Sequence, residues 1–422
     1  MENDDTENSG TQQPKKPPEP PRDFSDVEQF LDGETPWRDR ERSQLFPERP
    51  AGVEFGVLLK KTREADGGIV RCRDFTEIQQ IIGKQSQNVE VVWIPGSEFG
   101  IPWELLPSTK FSGREGAWNY FSTVAKSKGL LGLGLLAFAI YQKEFFLIFF
   151  AIFLILPVFD ALMTWLAFPK NLLAREVRNR GINITLFHKW LEKRGRSIKP
   201  LIGFLVVLGI VFLVQVFKSE QLSVFGKFMA PEIGEAALEK KAVIAGEWWR
   251  ILTSGMLHGF IFHIWFNGSA LYSLGRCLTS LSNVYTLTIV FLASVVGGSL
   301  ASLAFKTISS GPTVGASGGI LGLLGYLLFV ALRFRKTIPF DLTNMLIRNV
   351  VLISLIGVLG AKFIDNAAHA GGLITGIVVG AIIGPHRQDW WNQKANVVTQ
   401  AIAIVCGGVL AWTVYKTIIE IW

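Results

Sequence analysis

Nine apolar stretches between residues 130 and 413 dominate this sequence, more than the core of one soluble domain could absorb. They run over 130–141, 145–168, 200–217, 260–277, 284–305, 316–332, 346–361, 366–383 and 397–413. A helix needs roughly 20 residues to cross the hydrocarbon of a bilayer, so most of these read as membrane spans. The first is short, but it can borrow residues 121–125 and pair with 145–168 as a helical hairpin. A re-entrant or interfacial helix is the alternative for 130–141. With 49% apolar and only 18% charged residues, the chain is expected to be an integral, multi-pass membrane protein embedded in the lipid bilayer.

Charge fixes a sidedness. A formal charge of +7 could suggest nucleic acid, but much of the excess lies in 170–199, between two apolar stretches. Those residues fall on one side by the span count, together with Arg333, Arg335, Lys336, Arg348, Arg387 and Lys394. The positive-inside tendency makes that side cytoplasmic, so no nucleic-acid partner is expected. The soluble N-terminal part shares that side, and the C-terminus, after an odd number of crossings, lies outside. The expected location is a bacterial inner (plasma) membrane. Asp160 sits near the cytoplasmic end of its span, where a snorkelling or paired acid fits better than a proton site.

The first residues carry neither the basic and apolar regions of a signal peptide nor the Arg-rich amphipathic pattern of a mitochondrial presequence. Residues 1–23 are polar and Pro-rich, the composition of a disordered tail. Residues 24–123 suggest a small cytoplasmic α+β domain, which could bind a cytoplasmic partner or only tether the membrane core. Within it 53–59 and 89–94 read as strands, and Asp74 with Glu77 resembles a capping box for a helix carrying Ile78, Ile81 and Ile82 and stopping at Gly83. Residues 124–169 are assigned to the hairpin, 170–199 to a basic loop, 200–384 to a membrane core and 385–422 to a linker and an extra span. Cys72, Cys277 and Cys406 are too scattered for a disulfide framework or a metal site, and no cofactor is expected.

Span parity brings certain polar residues together. The stretches beginning near 260, 316 and 366 all run from outside to inside, and His263, Asn267, Ser317 and His369 fall within about their first two turns. A serine hydroxyl becomes nucleophilic when a neutral imidazole takes its proton, and the same imidazole can later protonate a leaving amine. Ser317 and His369 can play those parts. The unpaired N–H of Ser317 at a helix start can face a developing oxyanion. His263 and Asn267, at i and i+4, can donate to the same oxygen. Taken singly, each signal is weak: Gly318, Gly322 and Gly325 form a small-residue packing face, His258 suits a structural role in the outer loop, and Asn267 alone would be inter-helix glue.

Together the motifs resemble the rhomboid family of intramembrane serine proteases. The resemblance covers about 200–384 and rests on Glu247-Trp248-Trp249-Arg250, on His258, His263 and Asn267, on Gly315-Ala316-Ser317-Gly318 with Gly325-Tyr326, and on Ala368-His369-Ala370-Gly371-Gly372 with Gly376. It implies a rhomboid-like six-helix core, here extended by the hairpin, the α+β domain and one C-terminal span. It also implies a Ser317–His369 dyad without a third carboxylate, an oxyanion site from His263, Asn267 and the Ser317 amide, and transmembrane proteins as substrates. Trp248, Trp249 and Arg250 would serve in an interfacial loop, and Gly372, Gly376 and Gly380 would let the last core helix approach its neighbour.

Two positions depart from or complicate that pattern. Leu321 stands where many members carry an aromatic residue that stacks on the imidazole. Asp365, four residues before His369, reads either as an N-cap or as a third triad member. A noncatalytic relative that binds membrane clients would explain the spans equally well. A transporter would call for inverted repeats and midplane charges, which are not evident.

Overall fold

In the computed structural model the described residues are 33–61, 67–106, 118, 121–142, 151, 154–155, 157–159, 161–162, 174–194, 198–219, 234–307, 311–361, 364–386, 390–392 and 395–422. The expected tail at 1–23, most of 145–168 with Asp160, and Arg196, Arg387 and Lys394 lie outside them. The chain divides into Met1–Lys193 and Arg194–Trp422.

The first unit contains a three-stranded antiparallel sheet, β1 (Phe55–Leu59), β2 (Gly68–Cys72) and β3 (Val89–Trp93), ordered β2-β1-β3. Val57 on β1 pairs with Val70 on β2 and Val92 on β3, and a register shift at Leu58/Leu59 carries the second pairing on to Leu59 opposite Val89. Helix α1 (Phe75–Gln85) starts where Asp74 accepts the amide of Glu77 at 3.0 Å, a cap worth about 1 kcal/mol. The Glu77 carboxylate reaches back to the amide of Arg73 at 2.9 Å. The helix passes Gly83 by two residues. Strand β2 has no counterpart in the sequence expectation, because Gly68-Ile-Val-Arg-Cys72 is short and largely exposed on both faces.

A helical stretch spans residues 121–142 without a break, through a π-helical turn at Ala125–Gly129 into helix α2 (Leu130–Gln142). The basic segment expected as a loop is instead helix α3 (Ala174–Lys193). Ile182, Leu186, Phe187 and Trp190 recur at helical spacing, and Phe187 is fully buried. Trp37 packs edge-on against Phe187 at 4.8 Å between ring centres and donates its indole N–H to Asn183 at 2.9 Å. Basic side chains had masked this apolar face.

The second unit is helical. It comprises α4 (Lys199–Ser219), the short turns Lys240–Ile244 and Arg250–Thr253, α5 (Ile261–Leu281), α6 (Val284–Phe305), α7 (Ser317–Arg333), α8 (Phe340–Leu359), α9 (Asn366–Ile383) and α10 (Val397–Ile421). Helices α4, α6, α8, α9 and α10 are long and apolar enough to cross a membrane; these are the five such helices among the described residues. This is a polytopic membrane protein. Against nine expected crossings, α7 is 17 residues long, and α5 carries His263, Asn267, Arg276 and several hydroxyls along its length. Helix α8 begins at Phe340, earlier than the expected 346, and α10 continues to Ile421 rather than stopping at 413.

Helix α7 is the centre of this unit, buried continuously from Gly318 to Leu327 and packed against α5, α6 and α9. Lipid supplies no hydrophobic drive between helices, so contact depends on small residues that let backbones meet. A Cβ at Gly372 would lie 2.1 Å from the Gly318 carbonyl oxygen, and one at Gly376 would lie 1.9 Å from that of Gly322. Helices α7 and α9 therefore touch backbone to backbone along two turns. Val351, Leu355 and Val358 on α8 and Val397, Ile404 and Val405 on α10 are more than half exposed, as lipid-facing residues of outer helices would be.

Candidate active site

Ser317 is the first residue of α7 and His369 the fourth of α9. The glycine contacts between these helices set their separation, and His369 Nε2 lies 2.9 Å from Ser317 Oγ. For Nε2 to accept the hydroxyl proton, the neutral ring must carry its own proton on Nδ1. That nitrogen is buried and has no hydrogen-bond partner among the described residues. Asp365 makes no hydrogen bond to it; its Oδ1 instead accepts the Ala368 amide at 2.9 Å as the N-cap of α9.

Gly315 brings a third segment to this pair. Its φ of +131° is a conformation side chains rarely adopt. A Cβ there would sit 2.8 Å from His263 Nε2 and 3.6 Å from Asn267 Nδ2. The turn into Ser317 thus passes directly beside both residues of α5, with the Gly315 amide bonded to the Ser254 carbonyl at 2.9 Å. His263 Nδ1 accepts the Gly259 amide at 3.4 Å, which puts the proton of a neutral ring on Nε2, the nitrogen facing Gly315. The Asn267 side chain is 8% exposed and its Nδ2 has no partner among the described residues. An unfilled buried donor costs about 1–3 kcal/mol, which a bound acceptor would recover.

A family model described as the Rhomboid domain matches residues 245–386, the segment that holds all four of these side chains. The chain carries a rhomboid domain. Over 246 residues it is 30% identical to "Rhomboid protease GluP" of Bacillus subtilis (strain 168), covering 56% of this chain and 46% of that protein. It is 35% identical over 165 residues to "RHOMBOID-like protein 6, mitochondrial" of Arabidopsis thaliana, covering 38% and 52%, and 33% identical over 160 residues to "RHOMBOID-like protein 4" of the same plant, covering 37% and 39%. The chain thus spans about half, or less, of the length of these relatives.

The supporting residues of the rhomboid domain separate into near and far. His258 is fully enclosed and meets the His263 ring edge-on at 5.0 Å. Trp249 lies under the Lys416 ammonium of α10 at 4.2 Å, and exposed Trp248 stacks on Trp412 at 5.5 Å. Arg250 differs from the interfacial cation expected of it. It is 6% exposed, paired with Glu247 at 2.6 Å, and donates to the carbonyls of Gly234 and Ala237. Arg250 is thus held from inside the protein, while its partner Glu247 is 37% exposed. Tyr326 is remote from the site: nine residues along α7 from Ser317, about 14 Å of helix, its hydroxyl donates to Ser282 at 3.3 Å. Gly318 has more room than Gly372 or Gly376, since a Cβ there would find its nearest neighbours at 3.6 Å. Leu321 is buried and offers an aliphatic surface.

Gln215 was not anticipated from the sequence. It is 1% exposed on α4, ahead of the matched segment, where its amide donates to the His258 carbonyl and its oxygen accepts the His258 N–H, both at 3.2 Å. The loop entering α5 is thereby tied to α4. The available signal was a single amide inside an otherwise apolar run, a residue that needs a partner in lipid.

Proposed function

We propose that this protein is an intramembrane serine endopeptidase that hydrolyses peptide bonds of transmembrane protein substrates near the outer face, with Ser317 as nucleophile and His369 as base. The supporting observation is the 2.9 Å approach of His369 Nε2 to Ser317 Oγ beside two donors aimed past Gly315. As Oγ bonds to the substrate carbonyl carbon, its proton passes to Nε2. The carbonyl oxygen, now negative, accepts from the Ser317 amide, His263 Nε2–H and Asn267 Nδ2–H. His369 then protonates the leaving nitrogen, the C–N bond breaks, and an acyl-serine remains. Water attacks that ester with its proton taken by His369, and Oγ leaves with the proton returned.

In this reading 200–384 forms the catalytic core, 24–123 a cytoplasmic domain and 385–422 an added span, in a bacterial inner membrane with the N-terminus inside and the C-terminus outside. Substrate segments with small or helix-weakening residues are favoured, because a regular helix shields its own peptide bonds. The test is cleavage of a transmembrane reporter by purified protein against Ser317→Ala and His369→Ala at equal expression. Loss of cleavage in both supports the dyad. Equal cutting by all three discards it, and reporter capture without cutting by the parent favours a client-binding protein.

A further inference from the structure

A helix cap needs one acceptor for one or two backbone amides, and Asp365 supplies that through Oδ1 and the Ala368 N–H. Its other oxygen is engaged by residues outside its own helix. Oδ2 accepts Ser302 Oγ at 2.5 Å from the end of α6, Thr313 Oγ1 at 2.7 Å from the segment before Ser317, and Lys306 Nζ at 3.2 Å. Lys306 Nζ also donates to Thr313 Oγ1 at 2.7 Å. The carboxylate is 8% exposed, so these donors replace nearly all of its water.

Both ends of the dyad meet at this group. Within one turn of Asp365 on α9 comes His369, whose amide bonds the Asp365 carbonyl at 3.1 Å. Thr313 is four residues before Ser317, and its backbone pairs both ways with Leu238 at 2.9 and 3.0 Å. The segment from Thr313 to Gly315 is therefore held by Asp365, Leu238 and Ser254 just before it delivers the serine.

We propose that Asp365 is a positioning residue for the reaction: one carboxylate that locks the entry of the His369 helix to the strand-like segment carrying Ser317, and so sets the Oγ to Nε2 separation. This rests on Ser317 and His369 being the catalytic pair. Asp365 hydrogen-bonds neither the imidazole nor the hydroxyl, and as a clamp it acts through Thr313 on one side and the start of α9 on the other. An error of about 1 Å in such a pair can cost about a hundredfold in rate.

Asparagine separates the two jobs of this residue, because its carbonyl oxygen still caps α9 while the anion that gathers Ser302, Thr313 and Lys306 is gone. With the full chain and a transmembrane reporter, Asp365→Asn is expected to lower kcat per folded molecule about ten- to a hundredfold, with KM close to the parent's and a lowered thermal midpoint from the lost Lys306 pair. Thr313→Val is expected to act in the same direction, and the double variant to be no slower than Asp365→Asn alone, since both open the same clamp. Parental kcat in Asp365→Asn overturns the proposal, as does a loss no larger than its loss of folded protein, or full additivity with Thr313→Val. If Asp365→Asn does not fold, Thr313→Val and Ser302→Ala decide by the same kcat against KM comparison, with parental values in both overturning it. Ser317→Ala run alongside keeps the two readings apart. If it is inactive while the clamp variants match the parent, the dyad stands and the positioning role falls; if it cuts like the parent, both fall.

Discussion

Gly315 and His263 approach so closely that a single added methyl at 315 would meet the imidazole edge at 2.8 Å. The same glycine holds φ at +131°, so alanine there is strained in backbone as well as crowded by a side chain. Gly315→Ala is expected to cost about 1–3 kcal/mol of stability and to push His263 off the position beside Asn267. Reporter cleavage should fall by more than the loss of folded protein accounts for. Activity that tracks the folded fraction alone would mean that His263 contributes little where it stands.

The glycines of α7 and α9 are unequal. A Cβ at Gly376 would meet a backbone oxygen at 1.9 Å, which cannot swing aside as a side chain can, whereas the nearest neighbours at Gly318 stand at 3.6 Å. Gly376→Ala is therefore expected to force α7 and α9 apart at a cost of about 1–3 kcal/mol or more. Gly318→Ala should leave stability within about 0.5 kcal/mol. Thermal unfolding of the two variants in the same detergent checks the contrast, and equal midpoints would contradict it.

Gln215 makes a paired prediction of a different kind. Leucine has similar bulk, but it would strand both the N–H and the C=O of His258 in a buried place, at about 1–3 kcal/mol for each unsatisfied group. Gln215→Leu should weaken the unit and lower cleavage by loosening the entry to α5. Gln215→Glu retains the acceptor for the His258 amide and should lie between leucine and the parent. The order of the three thermal midpoints is the measurement, and leucine equal to the parent would rule out a clasp.

How much of this was legible beforehand depended on whether a residue's partner lay at a fixed spacing. Apolar length placed the helices of the second unit, five of them long and apolar enough to cross a membrane, and the Gly-x-Ser-Gly and Ala-His-Ala-Gly-Gly segments marked helix starts that the structure brings to 2.9 Å between Ser317 and His369. Helix α3 was hidden because its lysines and arginines outweighed its few apolar residues, of which Phe187 and Trp190 meet Trp37, and strand β2 because it buries too little to show alternation. The bonds of Gln215 to His258 and of Asp365 to Thr313 join positions 43 and 52 residues apart. No local pattern encodes such a pairing; the sequence offered only a polar residue whose partner was unknown.

Cys72 tests the first unit through its acidity. Partial burial at the end of β2, followed by the negative charges of Glu77 and Asp74, pushes its thiol up to about 11. Each of these favours the neutral form, so the reactive thiolate is scarce at ordinary pH: about one part in a thousand at pH 8 for such a value. Alkylation of Cys72 by iodoacetamide, followed at the peptide level, is expected to be about a hundredfold slower at pH 8 than for an unfolded peptide of the same sequence, and to rise about tenfold for each unit of pH up to the thiol's value. Glu77→Gln removes the larger of the two charge effects and should speed the reaction at fixed pH, without disturbing the Asp74 cap that starts α1. A rate equal to the free peptide's would mean that β2 does not pack beside α1 as found here.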